Sequence, residues 1–193
     1  MAASRTLGGV VLLLALCASP AAAAHAKHQG RGNTSSDPRS HVRPGSTLIG
    51  SVLADALQYS PTIAALVTRI DASNVIVHVE CARLHSFVLE GRTLFIVATR
   101  DVRYVRIQVD CLLVDRELTA IIGHELQHAA EIAAAPDVVD GRSFAGLLQK
   151  IGFLQCCSTS ERYETNAAID AGGRVRNEML VHRVVSIARD SSH

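Results

Sequence analysis

The sequence predicts an α+β domain: an N-terminal helical segment, a small and mostly antiparallel sheet, a long helix packed on that sheet, and further helices toward the C-terminus. Three observations predict it. Apolar residues recur at helical spacing from Leu48 to Ile70. Clusters of β-branched residues and strict alternation replace that spacing between Val75 and Val109. The helical period then returns at Asp115 and persists.

The elements follow in order. Leu48 to Gln58 has one apolar helical face, and Ser60-Pro61 marks a fresh helix start with Pro61 at its first position. Ile63, Leu66, Val67 and Ile70 continue the spacing, and Asp71 to Asn74 is a turn. Val75 to Glu80 is the first strand. Thr93 to Thr99 is the second, after the turn signal Glu90-Gly91. Arg100-Asp101 turns the chain into a third, Tyr104 to Val109. There Val105, Ile107 and Val109 alternate with Arg106, Gln108 and Asp110, so one face is buried and the other wet. A helix runs from Asp115 to about Ala135, where Pro136 forbids continuation. Ser143 to Ile151 is a short helix. A last helical region begins near Ser158 to Ser160 and runs toward Arg189, with Gly172-Gly173 as a place for a kink.

The first residues read as a targeting segment. Arg5 precedes the apolar run Leu7 to Ala18, Ser19-Pro20 breaks it, and Ala21 to Ala24 offer small residues for cleavage. Residues 1–24 are therefore expected to be a secretory signal peptide, and the mature chain to be secreted or periplasmic. Residues 25–45 are almost devoid of apolar side chains. They read as a disordered leader whose His25, His28 and His41 belong to a solvated tail. The folded domain is expected over residues 46–193, and no later stretch is long and apolar enough to span a membrane.

An oxidising compartment makes disulfides the expected state of Cys81, Cys111, Cys156 and Cys157. Adjacent Cys156 and Cys157 reach bridge geometry only with strain, so crossed pairing of Cys81 and Cys111 with those two is the expectation. A formal net charge of +1, no Trp and 4% aromatic residues argue against nucleic-acid binding, which needs a basic face or stacking platforms.

The chemistry concentrates in His124-Glu125-Leu126-Gln127-His128. On a helix, residues four apart differ by about 40° in azimuth and about 6 Å in height, so two imidazoles at that spacing converge on one ion. A Glu directly after the first His is placed to hold and deprotonate a metal-bound water. Zinc suits such a site because it accepts imidazole nitrogen and keeps an open position. In projection, Leu118, Ile121, Ile122, Leu126, Ala129, Ile132 and Ala133 form one apolar arc with Glu125 inside it. A carboxylate there needs a partner.

A catalytic zinc takes a third protein ligand. Glu131 shares the face of His128 but lies about 10.5 Å along the axis from His124, which suits a carboxylate orienting a histidine or a plain solvated residue. Glu164 is favoured. It heads a stripe of Ala168, Ala171, Val175 and Met179 at helical spacing, and Ala167, Ala168, Ala171 and Gly172 would let that helix pack close to the motif helix. Glu161 is the reserve candidate.

At these residues the chain resembles the zincin metallopeptidases, and specifically their gluzincin-like arrangement, in which H-E-x-x-H on one helix is completed by a Glu from a downstream helix. His124, Glu125 and His128 match the first motif. Glu164 with Ala168 is similar to the second, a Glu followed four residues later by Asp or a small residue. The run from His124 to Glu131 also resembles small secreted bacterial proteins of this kind. The resemblance implies a zincin-like fold, Zn²⁺ held by His124, His128 and Glu164, and hydrolysis of a peptide or protein substrate with Glu125 as the catalytic base. It also implies that an extended substrate pairs with an edge strand above the site. Tyr163 and His182 are the candidates for stabilising an oxyanion. This chain departs from large gluzincins in being short, with little room for a separate substrate-pocket subdomain. The competing readings are a catalytically silent zincin-like binding module and an exported, disulfide-stapled protein without metal.

Overall fold

A computed structural model describes residues 40–84, 90–155 and 162–190, with side chains as far as residue 182. The elements are β1 (Val42–Pro44), α1 (Thr47–Tyr59), α2 (Pro61–Asp71), β2 (Val75–Cys81), β3 (Gly91–Ala98), β4 (Arg103–Val109), α3 (Asp115–Ala134), α4 (Gly141–Ile151), β5 (Phe153–Leu154), β6 (Tyr163–Glu164) and α5 (Asn166–Asp190). The architecture is α+β, as the sequence predicts.

Serine caps set the first two helices. Ser46 Oγ accepts the Ile49 N–H at 3.3 Å, and Ser60 Oγ accepts the Ile63 N–H at 3.1 Å ahead of Pro61. Glu178 of α5 reaches the same start of α2. It accepts hydroxyl hydrogen bonds from Ser60 and, at 2.7 Å, from Thr62.

The sheet departs from expectation. Its order is β1-β2-β4-β3, with β1 and β4 both parallel to β2 and only β3 antiparallel to β4. It is mixed, not mostly antiparallel, because β3 takes the far edge and the β3–β4 hairpin folds β4 back into the slot beside β2. Val42–Pro44, which composition places in the leader, forms the other edge strand. Val42 pairs with Val77, and an edge tolerates Pro44 because only one side of the strand needs donors.

The alternation read in β4 is borne out. Val105, Ile107 and Val109 are buried beside Val75, Val77 and Val79 of β2. Ile63, Leu66 and Ile70 of α2 and Leu118, Ile122 and Leu126 of α3 share that core. Arg103, at the start of β4, is only 5% exposed. Its guanidinium donates to the carbonyls of Ile132 at 2.8 Å and Ala135 at 2.7 Å, where α3 ends, and to Asn74 Oδ1 at 2.9 Å. These carbonyls also accept the Ala135 and Val138 N–H groups, so the cation fills their second lone pairs and complements the negative end of the helix dipole.

The expected crossed disulfide pairing is overturned at Cys81 and Cys111, which are bonded to each other with Cα atoms 5.4 Å apart. The parallel register sets Cys81 opposite Val109, two residues before Cys111, so the bridge staples the ends of neighbouring strands. Cys156 and Cys157 lie outside the described residues. The last helix also begins later than spacing implies. Tyr163–Glu164 pairs antiparallel with Phe153–Leu154, and α5 starts only at Asn166, after Thr165 Oγ1 accepts the Ala168 N–H at 3.1 Å.

Candidate metal centre

Helix α3 carries the motif between the sheet and α5. Close approach of the two helices depends on glycine at two points. A β-carbon on Gly123 would lie 2.6 Å from Val175 Cγ2, and one on Gly172 would lie 3.3 Å from both the Ala120 carbonyl oxygen and His124 Cβ. Ala168, Ala171 and Val175 are buried on the facing stripe, as their spacing indicates, whereas Ala167 is exposed.

This packing brings His124, His128 and Glu164 together. His124 Nε2 lies 3.1 Å from Glu164 Oε2, and His128 Nε2 lies 3.1 Å from Glu164 Oε1. The two rings stand nearly perpendicular, with centroids 5.1 Å apart. One ligand atom from each residue lies within 4.8 Å of the others, and the group could hold a metal ion. Glu164 comes from strand β6 and not from the helix that the sequence stripe implies.

A second layer of hydrogen bonds fixes these groups. Glu131 is not one of the three converging residues. Its Oε2 lies 2.9 Å from His128 Nδ1, and its Oε1 accepts from Thr165 Oγ1 at 2.8 Å and from Gln127 Nε2 at 3.3 Å. The Thr165 N–H donates to Glu164 Oε1 at 2.8 Å. Burial disfavours the His128 imidazolium, but hydrogen bonds to Glu131 and Glu164 and the charge of Glu125 outweigh it and hold its pKa up at about 10. Burial likewise disfavours the Glu164 carboxylate, yet its bonds to His124 and His128 hold it well below the usual carboxylate range. Glu131 is lowered the same way, burial being overcome by His128 and then Thr165.

Glu125 is 5% exposed. Burial pushes its carboxyl up, against the opposing charges of His128 and His124 and a hydrogen bond from Thr93. Thr93 Oγ1, on the edge strand, donates to Glu125 Oε2 at 2.7 Å. Gly91 on the same strand leaves room for the other oxygen, since a β-carbon there would lie 2.8 Å from Glu125 Oε1 and 2.5 Å from Ile121 Cγ2. Sequence reasoning missed Gly91, Thr93 and Thr165. The signals present were a glycine within a strand, which marks close approach, and a threonine preceding a helix.

His124, Glu125, His128 and Glu164 open onto one cleft of about 540 Å³. Phe144, Ala145 and Leu148 of α4 form an apolar wall, edge strand β3 supplies Gly91 to Thr93, and Arg162 and Tyr163 approach beside Glu164. Tyr163 thus reaches the site. His182 does not line this cleft: it stacks on Tyr59 at a centroid distance of 3.4 Å and borders a separate one. Glu161, His25 and His28 lie outside the described residues. Among the described residues no helix is long and apolar enough to cross a membrane. No protein-family model, curated protein or solved structure matches the chain.

Proposed function

We propose that this chain is a zinc-dependent peptidase that works in an exported, oxidising compartment. One observation carries the reading: a buried glutamate sits between two histidines whose Nε2 atoms meet a third residue's carboxylate, and all four groups face one cleft. His124, His128 and Glu164 would hold the ion. Zinc bound there supplies Lewis acidity, polarising a carbonyl and easing deprotonation of water near neutral pH.

The remaining work falls to the chain's own groups. Glu125 takes a proton from the attacking water at a carboxylate oxygen and passes it to the departing amine. Thr93 holds one oxygen of Glu125 and leaves the other on the Gly91 side for that exchange. Strand β3 is a sheet edge whose first residues line the cleft, which supports an extended peptide as substrate, paired through its backbone. The Cys81–Cys111 bridge is compatible with an oxidising compartment and so supports export.

The test is metal content together with peptide hydrolysis. Wild type should bind one equivalent of zinc and cleave unfolded protein, and Glu125→Gln should keep the zinc and lose the activity. Zinc binding with no hydrolysis by wild type would instead favour a silent binding module. No zinc binding would refute the site.

A further inference from the structure

We infer that Thr165 is a positioning residue for the metal centre, setting the Glu164 carboxylate with its backbone and the orientation of His128 with its hydroxyl. This rests on the metal reading above. Thr165 is 2% exposed and lies between Glu164 and the first residue of α5. Its N–H donates to Glu164 Oε1 at 2.8 Å, which holds the oxygen that also faces His128 Nε2. Its hydroxyl has one proton to give. The Ala168 N–H, 3.1 Å away, is itself a donor and takes up a lone pair of Oγ1. The proton is therefore committed to Glu131 Oε1 at 2.8 Å.

Gln127 donates to that same oxygen at 3.3 Å, so Oε2 is the atom of Glu131 turned to His128 Nδ1, at 2.9 Å. A carboxylate on Nδ1 keeps the proton at that nitrogen and presents Nε2 toward Glu164. Two ligands from separate elements are thereby set by one residue, whose partner Glu131 is 34 positions away in sequence.

A bare helix cap predicts something different. Capping needs only the lone pair that Ala168 uses, and Ser, Thr or Asp each supply one. The positioning role needs the proton as well, and glycine, which is tolerated at a cap without any side chain, supplies none.

The experiment measures zinc affinity of the full chain by competition with a chelating dye, for wild type, Thr165→Ser, Thr165→Val and Thr165→Gly, each with and without Glu131→Ala. Thr165→Ser should stay within about twofold of wild type. Thr165→Val and Thr165→Gly should bind zinc about tenfold more weakly, the lower end for groups that orient a ligand. In the Glu131→Ala background the valine substitution should cost little more, because the hydroxyl acts through Glu131. The Nδ1–H proton resonance of His128 should shift in Thr165→Val and return in Thr165→Ser.

Thr165→Gly keeps a tolerated helix cap, so it decides the matter if the valine variant folds poorly. Unchanged affinity in Thr165→Gly, or equal losses with and without Glu131, would overturn the inference. A wild-type chain that binds no zinc would overturn the metal reading and this one with it. A chain that binds zinc but cleaves nothing counts against the peptidase reading alone, and the affinities still decide this one.

Discussion

Thr93 donates its hydroxyl to Glu125 Oε2 at 2.7 Å, joining the edge strand to the motif helix across 32 residues of sequence. A hydrogen bond to the charged form lowers a carboxyl pKa, so its loss raises it. Thr93→Val should therefore shift the acid limb of the kcat/KM profile to higher pH, with zinc content unchanged. An acid limb that stays in place would show that the hydroxyl does not tune Glu125.

Gly91 tests the space around the same carboxylate. Gly91→Ala places a methyl group against Ile121 Cγ2 and Glu125 Oε1. Overpacking of this kind costs about 1–3 kcal/mol, and displacement of a reacting group by about 1 Å lowers turnover about 100-fold. The expected result is a stable, zinc-loaded variant with activity reduced on that order. Full activity would mean that strand β3 yields instead of Glu125.

Metal loading should release protons. In the metal-free protein His128 carries its proton up to a pKa of about 10, so zinc binding at pH 8 must displace it. Titrations in buffers of different ionisation enthalpy should report this release, and zinc affinity should climb as pH rises toward 10. Stability of the metal-free chain follows the same groups. The raised His128 pKa contributes stability that is full below its unfolded value of about 6.5 and lost as pH rises through about 10. The depressed Glu164 pKa contributes stability above its unfolded value of about 4.5 that is lost as pH falls. Metal-free unfolding should thus be most resistant near pH 5–6, and a maximum above pH 8 would contradict this pairing.

The Cys81–Cys111 bridge spans a sequence separation of 30. Closing a loop of that size removes about 3.5 kcal/mol of unfolded-state entropy. The double variant Cys81→Ala, Cys111→Ala should unfold in urea with a stability lower by about that amount. A loss below about 1 kcal/mol would place the bridge outside the cooperative unit.

What could be read from the sequence was local. Ser60-Pro61 and Pro136 mark helix limits through neighbouring backbone chemistry, and both limits hold within a residue or two. His124, Glu125 and His128 fall within one helical turn, so a single period places all three. The strand order was not legible, because the parallel pairing of β2 with β4 depends on where β3 goes. The disulfide partner of Cys81 followed that register and was missed with it. Glu164 was identifiable as a carboxylate heading an apolar stripe, but its extended backbone depends on pairing with Phe153–Leu154. Thr93 and Thr165 find their partners 32 and 34 residues away, beyond any periodicity.

That Glu164 belongs to a two-residue strand has a mechanical consequence. An ion shared with His124 and His128 would act as a clasp, fastening the β5–β6 ribbon onto the body of the domain. Withdrawing it would loosen one wall of the cleft while leaving the helical scaffold standing. Susceptibility of that ribbon to limited proteolysis would then follow metal supply.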